Sequence, residues 1–165
     1  MRRNNRVGIW KLALLAGLAG GLAEVLWVTL YSSTTATSGI AVARQVTASV
    51  WPAATEWASA PALGIAIHML LSIALGIAFA ATIWRLAAPR FGAAAFMATA
   101  AAALALVWAI NFFVVLPVLN PAFVTLLPYV VTLTSKVLFG IAMGSVLLKS
   151  SPRRALRYTM RSSGS

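Results

Sequence analysis

Residues 12–31 read LALLAGLAGGLAEVLWVTLY, twenty residues carrying a single charge, that of Glu24. About 18 or more consecutive apolar residues are enough to cross a bilayer as a helix. Widened to its basic flank, this segment predicts a helix over 8–31, and three similar stretches follow at about 62–84, 93–116 and 122–148. The expected fold class is therefore all-α: a polytopic membrane protein of four transmembrane helices in one domain, residues 1–150, followed by a basic tail, 151–165. A basic start and the small residues Gly21 and Ala23 loosely fit a cleavable signal peptide. The apolar run continues through Val25-Leu26-Trp27-Val28, however, which favours an uncleaved first helix.

Composition narrows the function classes. The chain has 165 residues, of which 61% are hydrophobic and 9% charged, a usage far from that of soluble domains. A net charge of +11 would suit nucleic acid, but its placement points elsewhere. Arg2, Arg3, Arg6 and Lys11 precede the first span. Arg85 and Arg90 lie between the second and third, and Lys149, Arg153, Arg154, Arg157 and Arg161 follow the fourth. Basic residues on alternate loops are the positive-inside pattern. They predict cytoplasmic termini in a bacterial inner membrane, with the lipid bilayer as a partner and no role for nucleic acid. There is no Cys and no Asp, which removes disulfides, thiolate chemistry and Asp-based triads.

Between the first two spans, Ile40, Ala43, Val46, Val50, Ala54 and Trp57 recur at helical spacing, while Arg44, Gln45, Thr47, Thr55 and Glu56 fall mostly elsewhere. This predicts a short amphipathic helix over 40–57 on the outer membrane surface, broken near Pro52, with Trp51 and Trp57 at the interface. Pro117, Asn120 and Pro121 predict a tight outer turn, and Pro128 a kink in the last helix.

Each span carries one costly polar group: Glu24, His68, Asn111 and Lys136. At ~1.5 Å per residue, Glu24 lies ~20 Å above the inner surface and His68 ~10 Å below the outer one, which is the same depth. Asn111 and Lys136 complete the expected intramembrane cluster. Gly17, Gly20, Gly21 and Glu24 share one side of the first helix; Gly64, His68, Ser72 and Gly76 follow an i,i+4 stripe, and so do Thr132, Lys136, Gly140 and Gly144. Small residues let membrane helices approach closely, so these stripes are expected packing faces.

Such a cluster admits several chemistries. Glu24 with Lys136 or His68 could be an ion pair that fixes helix register, or a proton- or cation-carrying group. One His and two Glu are too few for a closed structural zinc site, and a bis-His haem would need a second chain. Lys136 as a Schiff base to a retinal-like aldehyde, with Glu24 as counter-ion, lacks enough helices to bury the ligand. Neither metal nor cofactor is expected. The Gly-rich pairs Gly17/Gly21 and Gly140/Gly144 follow no strand and lack the Lys-Ser/Thr ending of a phosphate loop. No hydroxyl nucleophile has a recognisable base beside it, so a non-enzymatic protein is expected.

Two resemblances follow from particular residues. Gly20-Gly21-Leu22-Ala23-Glu24-Val25 with Thr29-Leu30 resembles the first helix of small multidrug-resistance transporters, in which the Glu of that helix exchanges drug cations for protons. The added outer segment and Lys136 depart from that family. The segments His68-Met69-Leu70-Leu71-Ser72, Trp108-Ala109-Ile110-Asn111-Phe112-Phe113 with Pro117, and Phe139-Gly140-Ile141-Ala142-Met143-Gly144 are similar to small four-helix bacterial membrane proteins of uncharacterised function. That likeness implies an architecture and no activity. Two functional expectations result: a packing or accessory subunit that associates with other membrane subunits or with itself, and a proton-coupled transporter or permease using Glu24 and His68.

Overall fold

The computed structural model describes residues 2–84 and 92–149. The expected turn at 85–91 and the basic tail, 151–165, lie outside the described residues. Those described are helical with no strand, and four helices are long and apolar enough to cross a membrane.

Helix α1 spans Arg2–Thr34 and α2 spans Gly39–Val50. Ser38 caps α2, its hydroxyl accepting from the Ala41 amide. Helix α3 covers Ala60–Phe79 and widens into a π turn at Ala80–Trp84. Helix α4 starts at Ala93 and continues as a π turn, Asn111–Val115, into Leu116–Leu119. It thus passes the expected end at residue 116. The Leu116 amide bonds to the Asn111 carbonyl, one residue farther than in an α-helix. That widening sits one turn ahead of Pro117, whose ring supplies no N–H.

The expected fourth span, 122–148, needs correction. It is divided into a short helix α5, Pro121–Val124, and a long helix α6, Tyr129–Lys149. Pro128 ends the intervening turn instead of kinking a continuous helix; its ring supplies no N–H and crowds the carbonyl four residues earlier, which here breaks the helix. Its carbonyl serves the next helix, accepting from the Val131 and Thr132 amides at 3.0 and 3.2 Å.

Helix α1 is the central post, packed between α3 and α6, while α4 packs on the far side of α6. One antiparallel register runs along α1 and α6. Gly20 leaves room for the Phe139 ring, Glu24 meets Ser135, and Trp27 Nε1 donates to the Val131 carbonyl at 3.0 Å. Against α3, a Cβ placed on Gly76 would stand 2.6 Å from Gly17 Cα, so backbone meets backbone there. Gly21 meets Ser72 and Met69 in the same interface. Across α4 and α6, Gly140 lies on Ala100 and Ala101, Gly144 on Met97 and Ala100, and Trp108 Nε1 donates to Thr132 Oγ1 at 2.9 Å. The small residues expected to form packing faces therefore pack this chain's own helices.

Helix α2 lies across one end of the bundle. Gly64 admits the Ala43 carbonyl, and any Cβ there would collide with it. Thr47 Oγ1 donates to the Ala60 carbonyl at 2.6 Å. At its other side Asn120 Nδ2 lies 2.9 Å from Gln45 Oε1, 3.1 Å from the Gln45 carbonyl and 3.0 Å from Ser49 Oγ. Asn120 Oδ1 also accepts from the Phe123 amide and so caps α5. One buried amide thereby ties α2 to the α4–α5 corner. The buried side chains of α2 are Val42, Ala43 and Thr47; Ile40 and Val50, from the expected apolar stripe, are exposed. Arg44 donates to the carbonyls of Thr55 and Trp57 and closes the turn that follows α2.

Candidate functional site

The polar groups of three spans meet at one level. Glu24 is 5% exposed, on the α1 face between α3 and α6. Lys136 Nζ stands 2.7 Å from Glu24 Oε2. Ser135 Oγ lies 2.9 Å from Glu24 Oε1 and 2.7 Å from the Thr132 carbonyl. A hydroxyl has one proton, and the charged carboxylate is the stronger acceptor for it. Both carboxylate oxygens are thus engaged inside the chain. His68 Nε2 is 3.3 Å from the Gly21 carbonyl and 3.9 Å from Glu24 Oε2. The nearer contact suits a ring that donates from Nε2 to the backbone, leaving Nδ1 as the acceptor.

This layer lies between apolar ones. Toward the α2 end, Trp27, Val28, Val42, Leu127 and Val131 pack together. Toward the other end Phe139, Ala16 and Ala13 belong to the main core, with Phe79, Phe96, Ala100, Leu104, Met143 and Leu147. Phe139 also lies under the Lys136 ammonium, 5.6 Å from nitrogen to ring centre. In such surroundings a carboxylate without a partner would cost at least ~2.5–3.5 kcal/mol. Pairing and hydrogen bonding remove much of that cost.

Asn111 is a correction to the expected cluster. It makes no side-chain hydrogen bond among the described residues. The contacts of Gly140 with Ala100 and of Trp108 with Thr132 set Leu104 opposite Lys136. Asn111 comes seven positions after Leu104, so it lies ~10 Å nearer the α2 end. The polar residue of α4 at that end is instead Trp108, stacked on Phe112 with ring centres 5.6 Å apart.

Ser135 joins the layer without belonging to the four costly groups that the sequence marks. The signal was present: it is Lys136's neighbour and falls on the α1-facing side with Val131 and Phe139. Asn120, a residue of the expected outer turn, is buried and holds α2. Among the described residues, no group of three His, Cys, Asp or Glu side chains comes together to hold a metal. What the layer can do chemically is hold charge, lock helix register and, through His68, carry a proton. No family model, curated protein or solved structure matches this chain.

Proposed function

We propose that the chain is a non-enzymatic integral membrane protein, a packing or accessory subunit of a larger membrane complex, whose Glu24–Lys136 layer fixes the bundle's register. The observation that carries this reading is the full engagement of Glu24 within the chain, by Ser135 at 2.9 Å and Lys136 at 2.7 Å. A carboxylate held in this way already has a donor on each oxygen, and apolar layers close the bundle axis on either side. In this reading the membrane is a bacterial inner membrane, and both termini are cytoplasmic, as the alternating basic flanks argue. The α2 end then faces outward, and exposed Ile40, Val50, Trp51 and Trp57 sit in the outer interface. Purification in mild detergent tests the subunit role. A second polypeptide in fixed proportion is expected, and a solitary monomer at every detergent concentration would contradict it.

A second reading, a proton-coupled transporter or permease, is favoured by one observation. The side chains of His68 and Lys136 keep 21% and 19% of their surface exposed, whereas that of Glu24 keeps 7%. The layer is therefore not fully sealed within the chain. Substrate-driven proton movement in liposomes, abolished by Glu24→Gln, would establish transport; its absence across a broad substrate panel leaves the subunit reading.

A further inference from the structure

The exposed parts of His68 and Lys136 open onto a definable place. Along the axis the layer is closed by the Trp27–Val131 cluster on one side and Phe139 on the other. Helix α1 covers the layer from behind, and α6 has α1 and α4 on its two flanks. That leaves the flank between α3 and α4. These two helices meet at the end away from α2, where the Phe79 and Phe96 rings touch edge to face with centres 6.1 Å apart. Toward the α2 end, apolar side chains of both helices are open: Leu71 on α3 is 57% exposed and Val107 on α4 36%. The cause is α2. It packs on α3 through Gly64 and Thr47 and is fastened to the α4–α5 corner through Asn120, so it bridges the two helices. Helix α2 thus bounds this flank at one end and the Phe79–Phe96 contact at the other, with Lys136 and His68 in the layer between.

The groups in that layer have unspent hydrogen-bonding capacity. The Lys136 ammonium has three protons; one goes to Glu24 and one face rests on the Phe139 ring. The His68 Nδ1 has no partner among the described residues. The walls are apolar, so an occupant must present a chain to lipid and a polar head to the ammonium.

We propose that this flank forms a side window that binds a single-chain amphiphile with a monoanionic head, a carboxylate of the fatty-acid type, taken laterally from the membrane. The head accepts from Lys136, and from His68 when its Nδ1 is protonated, and the acyl chain lies along Leu71 and Val107. A monoanion suits one ammonium already shared with a carboxylate. A single chain suits an opening between helices that touch at its base. This site goes beyond the role proposed for the chain, and it holds whether the protein acts alone or in a complex.

The test is native mass spectrometry of the full-length protein released from neutral-detergent micelles containing palmitate or methyl palmitate. Wild-type protein is expected to retain one palmitate per chain and to discriminate against the ester by about tenfold or more. The double variant Leu71→Trp/Val107→Trp fills the window from its lipid-facing walls and leaves Glu24, His68 and Lys136 in place. It is expected to lose palmitate by about tenfold while keeping the wild-type melting temperature. Equal retention of acid and ester, or palmitate retention unchanged in the double variant, would overturn the proposal.

Discussion

Asn120 and Gln45 stand 75 positions apart in the chain, yet Asn120 Nδ2 lies 2.9 Å from Gln45 Oε1. With Ser49 at 3.0 Å and the Gln45 carbonyl at 3.1 Å, the side chain of a turn residue holds a whole helix in place. α2 is therefore attached at both sides, through Gly64 and Thr47 on α3 and through this amide on the opposite corner.

Asn120→Ala should release one of those attachments without unfolding the bundle. Interhelical hydrogen bonds in membranes average about 0.6 kcal/mol and reach about 1.7. A buried amide with several acceptors belongs at the upper end. The expected outcome is faster hydrogen exchange across 39–50, with little change in α1 and α6. Unchanged exchange in α2 would show that Asn120 holds nothing.

Gly64→Ala and Gly76→Ala should each destabilise by about 1–3 kcal/mol, since the new methyl meets backbone that cannot rotate away. For Gly64 the obstacle is the Ala43 carbonyl; for Gly76 it is the Gly17 backbone at 2.6 Å. Gly92→Ala, with nothing within 4 Å, should be neutral. Thermal unfolding of the three variants in one detergent gives the comparison.

Trp108→Phe keeps an aromatic ring against Phe112 and Tyr129 but deletes the donor to Thr132 Oγ1, which lies 2.9 Å away. A loss of about 0.6–1.7 kcal/mol is expected. A Trp108→Phe/Thr132→Val pair should lose little more than Trp108→Phe alone, because the two groups serve each other.

The absence of native cysteine makes the proposed topology directly measurable. A cysteine at Ser38 should react with an impermeant maleimide added outside intact cells, and one at Ser163 only after the membrane is opened. The reverse pattern would invert the orientation.

The number of spans was legible because length and apolarity alone set it. The meeting of Glu24, His68 and Lys136 could be anticipated because rise per residue converts sequence position into depth. Asn111 misled because depth counted from a helix end depends on where that end lies. Helix α4 runs to Leu119, past a π turn that no hydropathy pattern marks. Ser135 was hidden for a different reason. A hydroxyl in an apolar helix can bond its own backbone, so its presence does not announce a partner. The placement of α2 was hidden too: its buried side, Val42, Ala43 and Thr47, is less apolar than its exposed one. Steric fit to Gly64 and hydrogen bonds to Ala60 and Asn120 decide that contact, and periodicity carries neither.

The central claim, that Glu24 and Lys136 form a buried pair holding α1 to α6, is tested most directly by a double-mutant cycle on thermal stability in detergent. Glu24→Ala and Lys136→Met are measured alone and together. A single replacement strands the other charge in an apolar layer and should cost about 3–5 kcal/mol, whereas removing both should cost far less than the sum. A coupling energy of about 2 kcal/mol or more is the predicted result. Additive losses, with coupling near zero, would contradict the account.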